Sequence, residues 1–424
     1  MIRLTNCLSL SLVISALLLP HGASAEVLYK YRGAEIFDGS FGTIAEVQSA
    51  INHALGTCGH TKFISVDGKF GLGTQNALRR LADCKSMAAL VGNDPEARNG
   101  ALTLKFWGAL MGDVQAPSVD NRAHSLMLTY EATDYVGMEW NFCQTKPLYD
   151  PNIEGSVCYS NDPKSYLTWG PNGATAGGGR EVQLILQAVD TTSPDTIDEA
   201  FVDEAPAVRR MFSLPDRDEH RSLETYLCGI WSDQARRIAW KKGFQRIGRI
   251  KSVREKFDEL YKSSSLDGGK IANFYRAYST NGLQPTEVDY AFFKDRAAHM
   301  TVKYDTVRGV IADFLKAVPN AARWQVRQAI ALNVRPSRQQ TDRLGRDVAF
   351  YIDGGEAQLS ELEQMAWRNR GQLRASDVGL NDVRSYPTFI PGSSVDSSIR
   401  RPAILTAAEM KACPAAVLAT RMRS

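Results

Sequence analysis

The chain has 424 residues, 44% of them hydrophobic and 23% charged, with a formal net charge of +3. That length permits two or three domains and a sizeable core, and the composition is that of an ordinary globular protein. A charge balance this mild gives no argument for nucleic-acid binding, and no internal repeat or low-complexity segment is evident.

The N-terminus reads as an export leader. Met1-Ile2-Arg3 gives a basic start, Leu8 to Leu19 an apolar run, and Ala23-Ser24-Ala25 a small-x-small cleavage pattern. Residues 1–25 are therefore expected to be a signal peptide, with the mature chain starting near Glu26 in the periplasm or outside the cell. Arg3 is the leader's only charge, so cleavage lowers the net charge to +2. The apolar run is short for an anchor, and no later stretch approaches the ~18 apolar residues of a spanning helix. No integral membrane segment is expected after cleavage. Cys7 precedes the apolar run, which argues against lipid attachment.

The remaining cysteines are Cys58, Cys84, Cys143, Cys158, Cys228 and Cys413. An even set in an exported chain suggests disulfides, although six cysteines allow 15 pairings. Proximity favours Cys58–Cys84 and Cys143–Cys158, leaving Cys228–Cys413 by elimination. No CxxC, no Cys/His cluster and no helical histidine pair occurs, so neither a metal nor another cofactor is expected.

From residue 40 to 113 a small helical module is expected. Ile44, Val47, Ile51 and Leu55 recur at helical spacing. Asp67-Gly68 makes a turn, and Thr74 is placed to cap the helix carrying Ala77, Leu78 and Leu81. The run Val66-Asp67-Gly68, Phe70-Gly71, Thr74, Ala77-Leu78, after a helix with Gln48 and Ile51, resembles the type 1 peptidoglycan-binding domain. That resemblance implies a wall-binding module marked by Asp67, Gly68, Phe70, Gly71 and Thr74. Many of these matches are turn, cap and core residues, which identify a fold better than a ligand. A Cys58–Cys84 bridge would staple a core this small.

After a linker near Asp113 to Asp120, residues 114–424 are expected to form the second unit. Leu126 to Gln183 carries its chemistry. Glu131 ends a short helical run with Leu126, Met127 and Tyr130 on one side; Asp162 precedes Thr168-Trp169-Gly170 by six residues; a glycine-rich turn follows. This stretch resembles the phage-type lysozymes, in which a helix-end glutamate precedes an aspartate and a T-x-G-x-G-like hairpin. Glu131, Asp162 and Thr168 match the catalytic positions, and Trp169, Gly170, Thr175 and Glu181 are the candidate substrate contacts. The spacing departs from the family: about 30 residues, including the Cys143 to Cys158 insertion, separate the two acids.

A general acid must stay protonated near neutral pH, which needs a partly apolar setting. Tyr130, Tyr135 and Trp140 offer one to Glu131. The second carboxylate must stay ionised, and a polar strand edge such as Asp162 suits it. Alone, Glu131 is equally an ordinary helix-end acid, and Asn161-Asp162-Pro163 an ordinary turn. Asp134, Glu139 and Glu181 are rivals for the second role, although Glu181 is also explained as a first-turn acid on a helix. GATAGGGREV lacks the P-loop spacing, so its glycines fit backbone approach to a sugar rather than to a phosphate.

The rest reads as helices: Glu181 to Ala188, Glu199 to Phe212, Glu219 to Lys242, Arg249 to Lys262, Asp267 to Ser279 and Pro285 to Ala312. Arg236 to Lys256 is strongly basic, which reads as a solvated helix face or as contact with anionic wall polymers. Thr286 after Pro285 caps a helix and explains Glu287 and Asp289. Trp231, Trp240, Phe244, Tyr261, Phe274 and Tyr275 fit core positions better than sugar platforms. The segment Asp382 to Pro402 looks irregular.

The expected fold is mainly α, with a lysozyme-like α+β part holding a short β-hairpin and stabilised by disulfides. The expected activity is cleavage of the β-1,4 glycan backbone of peptidoglycan, a glycoside hydrolase with Glu131 as acid. A lytic transglycosylase, a chitosanase-like enzyme and a non-catalytic wall-binding protein are the alternatives. The expected partner is peptidoglycan or a related glycan.

Overall fold

The computed structural model describes residues 26–131, 133–142, 165–263, 266–334, 343–352, 373–387, 389–399 and 401–415. The leader, Cys143, Cys158 and Asp162 lie outside them. The described chain is mainly helical with short sheets.

The N-terminal part holds β1 (Val27–Tyr29), β2 (Ile36–Phe37), α1 (Thr43–Thr57), β3 (Lys69–Phe70), α2 (Leu72–Ala82), α3 (Lys85–Val91), α4 (Pro95–Arg98), β4 (Leu102–Thr103) and α5 (Leu104–Met111). Strands β1 and β4 pair antiparallel, as do β2 and β3. Gln48 organises the Asp67-Gly68 turn. Its Nε2 donates to Asp67 Oδ1 and Lys69 O, and its Oε1 accepts from the amides of Asp67 and Gly68. Gly68 is obligatory there, with φ +72° and the Gly39 carbonyl 2.0 Å from where a Cβ would stand. Phe70 is fully buried, and Gly71 sits at the N-cap of α2 in extended backbone. Thr74 departs from the expected cap. It lies inside the first turn of α2, where its hydroxyl donates to Lys69 O and accepts from Gln48.

Helix α6 (Val119–Glu131) follows, and it is buried on nearly every side. The sheet comes next: β5 (Met138–Trp140), β6 (Ser165–Trp169) and β7 (Ala174–Gly177), antiparallel in that order. Then come α7 (Glu181–Thr192), α8 (Pro194–Phe201), α9 (Ala205–Phe212), α10 (Ser222–Ser232), α11 (Gln234–Ile247) and α12 (Lys251–Tyr261). The second helical group is α13 (Gly268–Thr280), α14 (Glu287–His299), α15 (Tyr304–Ala317), α16 (Arg323–Asn333) and α17 (Arg343–Tyr351), and α18 (Ala407–Ala412) lies near the end.

Three helices expected to be continuous are broken. Glu199 to Phe212 divides at Val202–Glu204, a single 3-10 turn between α8 and α9. Glu219 to Lys242 divides at Asp233, whose carboxylate caps α11 by accepting from Arg236 N. Pro285 to Ala312 divides at Met300, which is extended. The Thr286 cap forms as expected, with Thr286 and Asp289 bonding each other's backbone amides in a capping box.

Two apolar cores result. One joins the N-terminal module to α6 and α13–α17, so it runs across residue 113. The other joins the β5–β7 sheet to α7–α12 and α18. The expected unit 114–424 thus contributes to both. The C-terminal stretch, irregular as expected, ties them together. Tyr386 N donates to Pro285 O, Gly392 N to Lys262 O, and Ala403 N to Ser213 O. Two of the expected disulfides, Cys58–Cys84 and Cys228–Cys413, are formed. The second clips α18 onto α10 across a sequence separation of 185.

That clip yields the first prediction. Replacing both Cys228 and Cys413 with Ala is expected to lower stability by ~2–4 kcal/mol, read as a lower denaturation midpoint at unchanged slope.

Candidate active site

Helix α6 ends at Glu131 and delivers its carboxylate into a cluster of charge. Arg346 of α17 donates to Glu131 Oε1 through Nη1, and His299 Nε2 of α14 lies 3.0 Å from the same oxygen. Arg346 also binds Asp295, with Nε 2.8 Å from Oδ2, and Tyr351 donates to that Oδ2 at 2.9 Å. Asp295 and Arg346 are buried, and the guanidinium stands 4.1 Å from the Tyr130 ring.

Burial pulls the Glu131 carboxyl up, but the His299 hydrogen bond and the Arg346 charge outweigh it. Together they hold the carboxyl at about 2. This corrects the expected apolar setting. Tyr135 and Trp140 belong to the second core, while Glu131 faces Arg346 and His299. With these pairs intact Glu131 is a carboxylate at neutral pH, the state of a base or charge stabiliser rather than a proton donor.

The sheet that follows places a second acid. Glu139 on β5 is directly opposite Thr168 on β6, and Thr168 is opposite Thr175 on β7. Directly opposed residues share a face, so Glu139, Thr168 and Thr175 form one polar stripe. All three are half-buried. Burial raises the Glu139 carboxyl, with Lys241 partly opposing it. Thr168 Oγ1 accepts from Asn141 Nδ2 at 2.9 Å.

Other expected contacts have different roles. Trp169 is fully buried between Phe244 and Phe257, both 5.2 Å away, and its indole donates to Tyr135 O. It is a core residue, not a sugar platform. Gly170 has φ +70°, with the Phe257 ring 2.8 Å from where a Cβ would stand, so packing alone requires it. Glu181 heads α7 and accepts from both Thr175 N and Thr175 Oγ1, which fixes the turn between sheet and helix.

Sequence reasoning missed a second group at the junction of the two cores. Asp38, His124, Tyr135 and Asp258 line a cavity of about 120 Å³. Tyr135 donates to Asp258 Oδ1 at 2.7 Å, and its oxygen lies 3.1 Å from His124 Nε2. Asp38 accepts from Ser125 Oγ at 3.0 Å and Ile44 N at 3.3 Å. Burial pushes its carboxyl up to about 7 despite these bonds. Burial likewise lowers His124, with Asp258 partly opposing. Their positions in the chain carry no local signature, because the fold alone brings residues 38 and 258 together.

Among the described residues no three His, Cys, Asp or Glu side chains converge as a metal-binding group. No family model, no curated protein and no solved structure matches this chain.

Two predictions follow from these charges. Arg346→Met leaves Glu131 and Asp295 without their cation and is expected to cost ~3–5 kcal/mol. Chemical denaturation checks this, and adding Asp295→Asn should recover part of the loss. The second concerns Asp38, whose carboxyl titrates near 7 when folded and from 3.8 when unperturbed. Across that window the folded state keeps a proton that the unfolded state has lost, so stability falls as pH rises through it. Thermal melts of Asp38→Asn from acid to neutral pH should lack that decline.

Proposed function

We propose that this protein is an exported wall enzyme that cleaves the β-1,4 glycan backbone of peptidoglycan. The two disulfides among the described residues fit an extracytoplasmic protein, and no helix among those residues is long and apolar enough to cross a membrane. One observation carries the enzymatic reading: successive elements bear two acids driven in opposite directions. Glu131 at the end of α6 is held ionised, and Glu139 on β5 is raised by burial beside Thr168. Acids pushed apart in this way are what glycosidic cleavage divides between its roles. In this proposal Glu139 protonates the leaving oxygen, the Glu131 carboxylate supports the positive charge developing at the anomeric carbon, and Thr168 orients the sugar or water. The assignment exchanges the role that the lysozyme resemblance implies for Glu131. The N-terminal module would tether the chain to the wall and raise local substrate concentration.

A second reading has its own support. The Arg346 and His299 pairs on Glu131 also suit a purely structural clamp, and the protein would then be a non-catalytic wall-binding component.

Digestion of purified peptidoglycan by residues 26–424, with mass spectrometry of the soluble fragments, decides between them. The hydrolase reading expects ordinary reducing ends, and a loss of ~10²–10⁴-fold in rate for Glu139→Gln. Wild-type activity should fall as pH rises through the raised Glu139 titration, whereas Glu131→Gln should lose activity at all pH values. Anhydro ends would instead identify a lytic transglycosylase. Binding to the sacculus without any release would make the wall-binding reading the correct one.

A further inference from the structure

A larger cavity, of about 720 Å³, opens where the N-terminal module meets the start of α12. One wall carries Phe41, Glu46, Val66 and Asp67, and the other carries Arg249 and Arg254. The basic stretch singled out in the sequence is therefore not one continuous face. Arg236 pairs with Glu204, Arg237 donates to Trp231 O and Arg246 to Ala200 O, whereas Arg249 and Arg254 turn toward the module.

Arg254 donates to the carbonyls of Phe41 (2.7 Å) and Gly248 (3.4 Å) and to that of Arg249. The Arg249 guanidinium stands 5.4 Å from the Phe41 ring. Among the described residues neither arginine has a carboxylate within 4.0 Å. The nearby acids are engaged: Glu46 faces Lys251 at 3.4 Å, and Asp67 Oδ1 accepts from Gln48 and from Lys69 N. Phe41 and Val66 are 39% and 49% exposed, unusual for residues of their kind within a concave surface.

The groove thus offers a ring-sized apolar platform and two arginines without carboxylate partners. Guanidinium forks match carboxylates and phosphates alike. The Glu46 and Asp67 carboxylates in the same wall repel a doubly charged phosphate more than a singly charged carboxylate.

We propose that this groove binds a carboxylate-bearing saccharide, with Arg249 and Arg254 holding the carboxylate and Phe41 lying against the sugar ring. Both the module and the second core build the site, so neither half has it alone. The proposal rests on the wall-glycan reading only for the source of the saccharide. Its chemistry is separate from Glu131 and Glu139.

The test is calorimetric titration of residues 26–424 with three probes: an N-acetylglucosamine–N-acetylmuramic acid disaccharide with its lactyl carboxylate free, a neutral chito-oligosaccharide of equal length, and a sugar phosphomonoester. The acidic disaccharide is expected to bind, more weakly as salt rises, and the neutral one not. Arg249→Glu and Phe41→Ala, both on exposed side chains, are each expected to weaken that binding about tenfold. Equal binding of acidic and neutral sugars would overturn the proposal, as would unchanged affinity in both variants or preference for the phosphomonoester. Cleavage is read separately on Glu131→Gln and Glu139→Gln. A chain that binds the acidic sugar but digests nothing fails as a hydrolase while the groove stands, and the converse result removes the groove alone.

Discussion

Helix α6 is surrounded by protein yet carries polar side chains along its length, and burying such groups is costly unless each finds a partner. Asp120 meets Lys294, Lys262 and Tyr290, and the two lysines hold its carboxyl well below the usual carboxylate range despite burial. Arg122 meets Glu26, His124 meets Tyr135, Ser125 meets Asp38, and Thr129 meets the backbone of Phe37. Glu131 meets Arg346 and His299. The partners come from the N-terminal module, from the second core and from α14 and α17. One helix therefore fixes the relative placement of everything around it, because moving any neighbour strands a buried charge.

The same constraint shapes the candidate chemistry. A helix that ends against the Arg346 guanidinium and the His299 ring favours an ionised carboxyl at its last residue. On the half-buried face of the following sheet, burial raises the Glu139 carboxyl although Lys241 opposes it. Opposite shifts of the two carboxyls on successive elements thus arise from where the charges and the buried surface were placed. Asp38 obeys the same logic at the junction of the cores, where two hydrogen bonds do not offset the loss of water.

Long-range ties hold this arrangement. The irregular chain between Tyr386 and Ala403 is tied to the starts or ends of α14, α12 and α9 by backbone hydrogen bonds that need no particular side chain. Such contacts leave no periodicity behind, which is why the stretch looked irregular in sequence while being structurally specific. Cys228–Cys413 closes the path by anchoring α18.

The sequence by itself determined what depends on near neighbours. The helical character, the Asp67-Gly68 turn and the Thr286 cap were legible because turn, cap and periodicity are short-range physics. Cys58–Cys84 followed from proximity, and Cys228–Cys413, 185 residues apart, only by elimination. Thr74 was misplaced by one turn because Gln48, across the module, competes for its hydroxyl. Tertiary structure alone decided the rest. Trp169 was a candidate substrate contact in sequence, whereas Phe244 and Phe257 close over it in the fold. Glu131 looked apolar from its neighbours in the chain, whereas its real surroundings lie more than 160 residues away at His299 and Arg346. Electrostatic environment is a property of three-dimensional proximity, and local sequence does not contain it.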